Sequence, residues 1–140
     1  MALTTQDKLD IMELAARYAF TIDRRMAEEW ADCFTDDGLM ISGNGNRVEG
    51  RAAFLEHMRK ARESGKKVRH WGCNHIIEGD GDWARLKLYI MALDISEGIR
   101  PYIMGEYDDT LVKVDGRWKF KERNVTLCAG KSWLQGALKK

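Results

Sequence analysis

The sequence predicts an α+β protein in which three amino-terminal helices pack on one strongly curved, mostly antiparallel sheet. Helical spacing of apolar residues dominates the chain before Lys66, with one short hairpin inside that region. Alternating patterns and turn signals fill nearly all of the chain after it, and such segregation is typical of α+β folds. Strands of the predicted length bend strongly, so helices packed into the concave side would produce a cone-shaped α+β barrel around a cavity.

Composition and charge limit the classes of function. The 140 residues, 44% hydrophobic and 32% charged, predict a single domain over residues 1–140. The net charge is +1 and the basic residues are scattered, so we expect no nucleic-acid partner. Cys33, Cys73 and Cys128 have no paired spacing, which indicates free thiols. The polar amino terminus predicts neither a signal peptide nor a membrane span, so we expect a cytoplasmic protein with no membrane partner.

The helical region begins with a plausible N-cap at Thr4 or Thr5, and the first helix runs to about Ile22 on an apolar stripe. A second helix is predicted from the spacing of Met26, Trp30, Cys33 and Phe34, and it is stopped by the segment 35–38. A hairpin then joins a strand over 39–42 to a strand over 47–49, and a third helix follows from Gly50 to about Glu63.

Four long strands are predicted over 68–77, 83–94, 102–114 and 117–126. Asp115-Gly116 is a strong two-residue hairpin signal, and its register puts Asp108 opposite Arg123 and Leu111 opposite Phe120. A short terminal helix is predicted over 131–138.

The strand over 68–77 carries the most informative side chains. Alternation places one set of residues on a common face: Val68, His70, Gly72, Asn74 and Ile76. Gly72 indicates a bulge or a bend, and without a bulge His75 has the opposite parity. The strand therefore carries His70 towards a partly apolar interior.

Asp23, at the end of the first helix, is the natural partner for His70. A carboxylate on one ring nitrogen fixes the tautomer and raises the basicity of the other, which can then move a proton. Tyr18 lies about 140° from Asp23 around the helix, so the two share no helical face. Other interpretations are an N-cap role for Asp23, a core position for Tyr18 and a structural role for His70.

Further residues are candidates for the lining of a substrate pocket, although each of them is equally compatible with a core position. The polar candidates are Asn74, Tyr89 and Tyr107, and the apolar candidates are Met40, Trp30 and Phe54. The three histidines lack metal-ligand spacing, so we expect no metal site and no cofactor.

Four motifs together resemble the SnoaL-like branch of the nuclear transport factor 2-like superfamily over about residues 5 to 126. They are YAFTID at 18–23, RHWGCN at 69–74, GEYDD at 105–109 and DGRWKF at 115–120. Scytalone dehydratase, lindane dehydrochlorinase and bile acid 7-alpha-dehydratase are similar in pattern. The resemblance implies that Asp23 and His70 form a catalytic dyad and that Tyr18 is a third catalytic residue.

The resemblance also implies an activity and an assembly. The expected function is a cofactor-independent lyase of the dehydratase type, acting on a small, largely apolar molecule in an enclosed pocket. The alternatives are a polyketide cyclase or epoxide hydrolase on the same scaffold, or a non-catalytic ligand-binding or subunit protein. A homodimer or homotrimer through the outer sheet face is expected, with Trp71, Tyr89 and Met91 as candidate exposed apolar residues.

Overall fold

Three helices and six strands make up residues 1–129, the part of the chain described by this computed structural model. The terminal helix predicted over 131–138 lies outside the described residues. The helices are α1 (Thr5–Asp23), α2 (Ala27–Ala31) and α3 (Arg51–Glu63). The strands are β1 (Phe34–Ile41), β2 (Arg47–Glu49), β3 (Val68–Asp80), β4 (Trp83–Asp94), β5 (Arg100–Val114) and β6 (Arg117–Ala129).

All six strands of the described region join one curved sheet in the order β2-β1-β6-β5-β4-β3. The β1–β6 pair is parallel and the other pairs are antiparallel, which confirms the α+β class with a mostly antiparallel sheet. The sheet is open rather than closed into a barrel, with β2 and β3 at its edges. No helix among residues 1–129 is long and apolar enough to cross a membrane.

Helix α1 runs from the β5–β6 hairpin to the edge strand β3. At its start, the Asp7 backbone N–H donates to the Thr4 hydroxyl and the Thr4 backbone N–H donates to the Asp7 carboxylate, both at 3.0 Å, forming a capping box. Lys113 of β5 and Trp118 of β6 also donate to that carboxylate, at 2.6 and 3.1 Å. At its end, α1 packs on β3. This placement brings Asp23 to the strand that carries His70.

The predicted second helix is too long, and the predicted first strand is too short. Helix α2 ends at Ala31, and Phe34 already lies in β1, opposite Phe120 of β6. The Phe120 backbone N–H donates to the Cys33 carbonyl at 2.8 Å, which draws the chain into the sheet at this point. The pairing partner lies far away in sequence, so the local helical spacing of Cys33 and Phe34 is overridden by tertiary contacts.

A bulge in β3 changes which residues face the helices. The register with β4 shifts between Cys73 and Ile76, and Asn74 has φ 61°. The expected common face holds for Val68, His70 and Gly72, but it was wrong for Asn74 and for Ile76, which is 60% exposed. The bulge lies at Asn74 rather than Gly72, and it turns His75 and Ile77 towards the helix side.

A second bulge changes the register of β6. Leu111 faces Phe120 as predicted, but Asp109 rather than Asp108 faces Arg123. The register shifts between Thr110 and Leu111, so every pair beyond that point moves by one residue. Asp108 is opposite Asn124 and instead forms an exposed ion pair with Arg85.

The concave side of the sheet is filled by aromatic side chains. Phe34 stacks on Phe54 with ring centroids 4.1 Å apart, and Trp30 contacts Phe54 edge-on at 5.2 Å. Tyr18 and Phe120 complete the cluster at 5.8 Å. The interior beneath α1 is therefore a packed core.

Candidate functional site

The Asp23 and His70 side chains contact each other, as the sequence predicts. Asp23 Oδ1 lies 2.5 Å from His70 Nδ1, and the His70 backbone N–H donates to Asp23 Oδ2 at 2.8 Å. The side chains are 6% and 15% exposed, respectively. One carboxylate therefore fixes both the backbone and the ring of the same histidine. The catalytic roles of both residues remain predictions.

This geometry selects one tautomer of His70. An ionised carboxylate only accepts hydrogen bonds, so the close contact assigns the proton to Nδ1. In the neutral form of the imidazole, Nε2 then carries the free lone pair. Such a nitrogen can accept a proton from a substrate, and the carboxylate stabilises the imidazolium that results.

Arg25 forms hydrogen bonds to both elements that carry the dyad, helix α1 and the segment that leads into β3. Its guanidinium donates to the carbonyl of Ile22 in α1 at 3.2 Å and to the carbonyl of Lys66, just before β3, at 3.0 Å. The Arg62 side chain of α3 donates to the Arg25 carbonyl at 2.6 and 3.0 Å. Arg25 has φ 57°, an unfavourable conformation for a side chain of its size that is held by these contacts.

A small cavity of about 130 Å³ lies beside the dyad and opens to solvent on one side. Its lining consists of Ala19, Phe20, Asp23, Arg24, Arg69 and His70. Phe20 is 57% exposed, and the Arg24 guanidinium carbon lies 4.7 Å from the centre of its ring. Among residues 1–129, the cavity beside the dyad therefore opens at the surface next to α1.

Four of the predicted site residues lie in the core instead of this cavity. Tyr18 is 3% exposed, its hydroxyl contacts Met40 Sδ at 3.4 Å, and its burial raises the pKa of the phenol. Trp30 and Phe54 are fully buried, and Met40 is 5% exposed. The structure does not bring these side chains to the cavity beside His70. Their proposed contacts with a substrate remain predictions.

The other three predicted residues line a second cavity, of about 390 Å³, near the β3 bulge. Asn74, Tyr89 and Tyr107 lie there together with His75, Ile76, Lys87, Leu88 and Glu106. Burial, with a smaller effect from the Arg123 charge, lowers the pKa of His75. Sequence reasoning gave His75 no role, because its parity depended on the bulge. The Asn at position 74 was a usable signal, since asparagine is enriched at positive φ.

The acidic partner of Arg123 is Asp109 rather than the Asp108 that the predicted register puts opposite it, and the ion pair is buried beneath α1. The Arg123 guanidinium donates to Asp109 through Nε at 2.9 Å and Nη2 at 2.7 Å, and the two side chains are 1% and 0% exposed. The guanidinium stacks on the rings of Tyr107, Tyr18 and Phe120 at 3.8 to 4.2 Å. Burial raises the pKa of Asp109 against the opposing effect of the Arg123 charge.

No group of three or more His, Cys, Asp or Glu side chains within residues 1–129 is arranged to hold a metal ion.

Comparisons with known proteins place the chain in a wider context. The SnoaL-like domain family matches residues 4–124. No curated protein sequence matches the chain. A protein of unknown function with a cystatin-like fold from Nostoc punctiforme is 27% identical, with 91% of this chain and 95% of that one covered and a TM-score of 0.83.

Two further solved structures are similar. A protein of unknown function from Mycobacterium tuberculosis is 32% identical, with 90% of this chain and 74% of that one covered and a TM-score of 0.82. A protein from Novosphingobium aromaticivorans, provisionally assigned as a scytalone dehydratase, is 23% identical, with 88% and 85% covered and a TM-score of 0.75. At that identity the last comparison shows a shared fold.

Proposed function

The chain belongs to the SnoaL-like domain family, and from this premise we propose that it is a cofactor-independent lyase of the dehydratase type. The substrate is a small, largely apolar molecule. The observation that supports the proposal most directly is the contact of both Asp23 carboxylate oxygens with His70, which leaves His70 Nε2 free beside a cavity.

In the proposed reaction, His70 Nε2 removes a proton from a carbon next to a carbonyl group. The electrons of the broken C–H bond form a carbon–carbon double bond, and a hydroxyl leaves from the neighbouring carbon. The imidazolium returns the proton to the departing oxygen, so water is released and the histidine is regenerated. Asp23 stabilises the imidazolium between these steps. General base catalysis of this kind contributes roughly 10²–10⁴-fold.

Proton abstraction can be tested before the natural substrate is known. A panel of β-hydroxy ketones is incubated with the protein in D₂O, and NMR follows deuterium incorporation beside the carbonyl as well as water loss. We expect His70→Ala to reduce the exchange rate by about 10²-fold or more and Asp23→Asn to reduce it substantially. His57→Gln, which changes a histidine of α3 that does not line the dyad cavity, serves as the matched control. A rate of deuterium exchange that is unchanged in both His70→Ala and Asp23→Asn would contradict the proposal.

A second candidate, a non-catalytic ligand-binding or subunit protein, is favoured by the packed interior. Trp30 and Phe54 are fully buried where an enclosed substrate pocket was expected. This candidate predicts ligand binding without exchange or product formation. A polyketide cyclase or epoxide hydrolase would use the same dyad, and product analysis separates a closed ring or a diol from an alkene.

We also propose that the chain forms a homodimer or homotrimer through the outer face of the sheet. Trp71, Met91 and Met104 are directly opposite one another across β3, β4 and β5, and Trp71 is 64% exposed. Tyr89 and Ile76 extend this apolar region. We expect Trp71→Glu to lower the mass measured by light scattering, whereas Trp83→Glu, at the far end of the same face, does not. Monomers in the wild-type protein would contradict the proposal.

A further inference from the structure

The opening of the dyad cavity combines two guanidinium groups with an exposed aromatic ring. Arg24 and Arg69 contribute the charges, and Phe20 contributes the ring. Asp23 is the one carboxylate in this lining, and both of its oxygens contact His70. Within residues 1–129, neither Arg24 nor Arg69 forms a salt bridge. Arg69 donates to the Val68 carbonyl at 3.0 Å. Among the described residues, two guanidinium groups without a carboxylate partner therefore flank the approach to His70.

The surrounding surface has the same sign. Arg25 and Arg62 meet behind the dyad, and the Lys66 carbonyl accepts from Arg25. The Arg25 charge adds to burial in lowering the pKa of His57 on α3. In a chain whose net charge is only +1, this concentration of cations produces a local positive potential that attracts anions to the cavity.

The size of the cavity indicates where most of a ligand lies. Pockets that enclose a small molecule usually measure about 300–1,000 Å³. The dyad cavity, at about 130 Å³, accommodates the reacting end of a molecule, so the remainder extends across the opening. There it meets the exposed Phe20 ring, which suits a flat, apolar skeleton.

We propose that the substrate is a planar, apolar molecule carrying an anionic oxygen, which Arg24 and Arg69 bind at the opening while the skeleton packs on Phe20. This inference rests on the proposed function, because it names the substrate class of the same site. Guanidinium groups form strong charge-assisted hydrogen bonds with carboxylates and other oxyanions. The anionic group would also orient the molecule with its reacting carbon towards His70.

The test uses 2-naphthoate and its neutral isostere 2-naphthamide as probes. Affinities are measured by titration calorimetry at low salt, and NMR follows the shifts of the His70 ring. We expect the wild-type protein to bind the anion about tenfold more tightly than the amide. In the double variant Arg24→Gln/Arg69→Gln, the ratio of the two affinities should fall towards unity. Phe20→Ala should weaken the binding of both probes by the same factor.

Arg117→Gln is the matched control, because Arg117 is an exposed arginine beside the β5–β6 hairpin at the opposite end of the sheet. It should leave the preference unchanged. The experiment is repeated in His70→Gln, which separates binding from catalysis: the charge preference should persist there even if the dyad has no catalytic role. Equal binding of the two probes, binding of neither, or a preference that survives the double variant would overturn the proposal.

Discussion

The molecule contains two contacts between an aspartate and a basic side chain. The two contacts have similar hydrogen bonds, but they differ in burial and in the chemistry of the basic group. Asp109 and Arg123 join β5 and β6 beneath α1, at 0% and 1% side-chain exposure. Asp23 and His70 join the end of α1 to β3, and His70 lines an open cavity. In both, the carboxylate uses two oxygens on one partner.

The difference lies in what each basic group can still do. An arginine side chain stays protonated in proteins, and Arg123 is enclosed by three aromatic rings, so the pair is a fixed charge distribution inside the core. Histidine changes its protonation near neutral pH, and one nitrogen of His70 remains free. A buried acid–base contact is therefore structural when its base cannot titrate or reach solvent.

The largest loss of stability is expected from breaking the buried ion pair between Asp109 and Arg123. Asp109→Ala leaves the Arg123 charge without a partner in the core, which should lower the free energy of unfolding by about 3–5 kcal/mol. Chemical denaturation followed by tryptophan fluorescence measures the change.

The double variant Asp109→Leu/Arg123→Met provides the control for this result. It removes both charges and keeps an apolar filling, so it should be clearly more stable than Asp109→Ala. Equal destabilisation in both proteins would show that packing, rather than the charge, dominates at this position.

A smaller loss of stability is expected from breaking the contact between Asp23 and His70. Asp23→Ala removes two charge-assisted hydrogen bonds from a partly exposed position, so we expect a loss of about 2 kcal/mol. The ¹⁵N shifts of the His70 ring should also move from a single Nδ1-protonated tautomer to a mixture. An unchanged tautomer would show that the carboxylate does not orient the ring.

Arg25 should affect the dyad indirectly. Arg25→Ala removes both guanidinium links between α1 and the start of β3, with an expected stability loss of about 1 kcal/mol. The His70 Nδ1 proton should exchange faster with solvent while its tautomer stays the same. Arg25→Lys should restore part of the protection, and Arg62→Gln tests the contact from α3. If the His70 Nδ1 proton exchanged as slowly in Arg25→Ala as in the wild-type protein, Arg25 would have no role in positioning His70.

The smallest effect concerns a third aspartate contact, Asp7 with Lys113 and Trp118 at the other end of α1. The hydrogen bond from Lys113, followed by those from the Thr4 backbone and hydroxyl, holds the pKa of Asp7 well below its usual value. A carboxyl whose pKa is lower in the folded state contributes stability above its unfolded pKa, near 4, and loses it as the pH falls towards the folded value.

Asp7→Asn should therefore reduce thermal stability at pH 7, and the gap to the wild-type protein should narrow as the pH is lowered from 5 to 2. Thermal unfolding by circular dichroism at several pH values measures this gap. Asp10→Asn, one turn further along α1, is the control. A gap that is constant with pH would exclude the ionic contribution of Asp7.

The sequence predicted the features that depend on local pattern and on element order. The stripe of α1, the hairpin at Asp115-Gly116 and the pairing of Asp23 with His70 follow from spacing and topology. The bulge at Asn74 did not, because one inserted residue reverses every following side chain and tertiary contacts decide its position. The β1–β6 pairing joins segments far apart in the chain, so no local signal reports it.

The apolar residues proposed for the pocket wall were ambiguous for another physical reason. The sequence indicates that Trp30 and Phe54 are large and apolar, but the same composition suits a pocket wall or a filled core. Their interlocking ring contacts, together with the Arg123 guanidinium, resolve that choice. The carboxylate of Asp23 and the imidazole of His70 are in contact, whereas Met40, Trp30 and Phe54 pack in the core. The polar candidates Asn74, Tyr89 and Tyr107 line the second cavity.

The hydrogen bond from the His70 backbone to Asp23 has a consequence for the behaviour of the protein at high concentration. β3 is an edge strand of the sheet, and its outward N–H groups could donate hydrogen bonds to a strand from another molecule. Asp23 occupies one of these donors near the start of the strand and places a negative charge there. The same carboxylate that orients the imidazole thus leaves one edge donor fewer for pairing with a strand of another molecule.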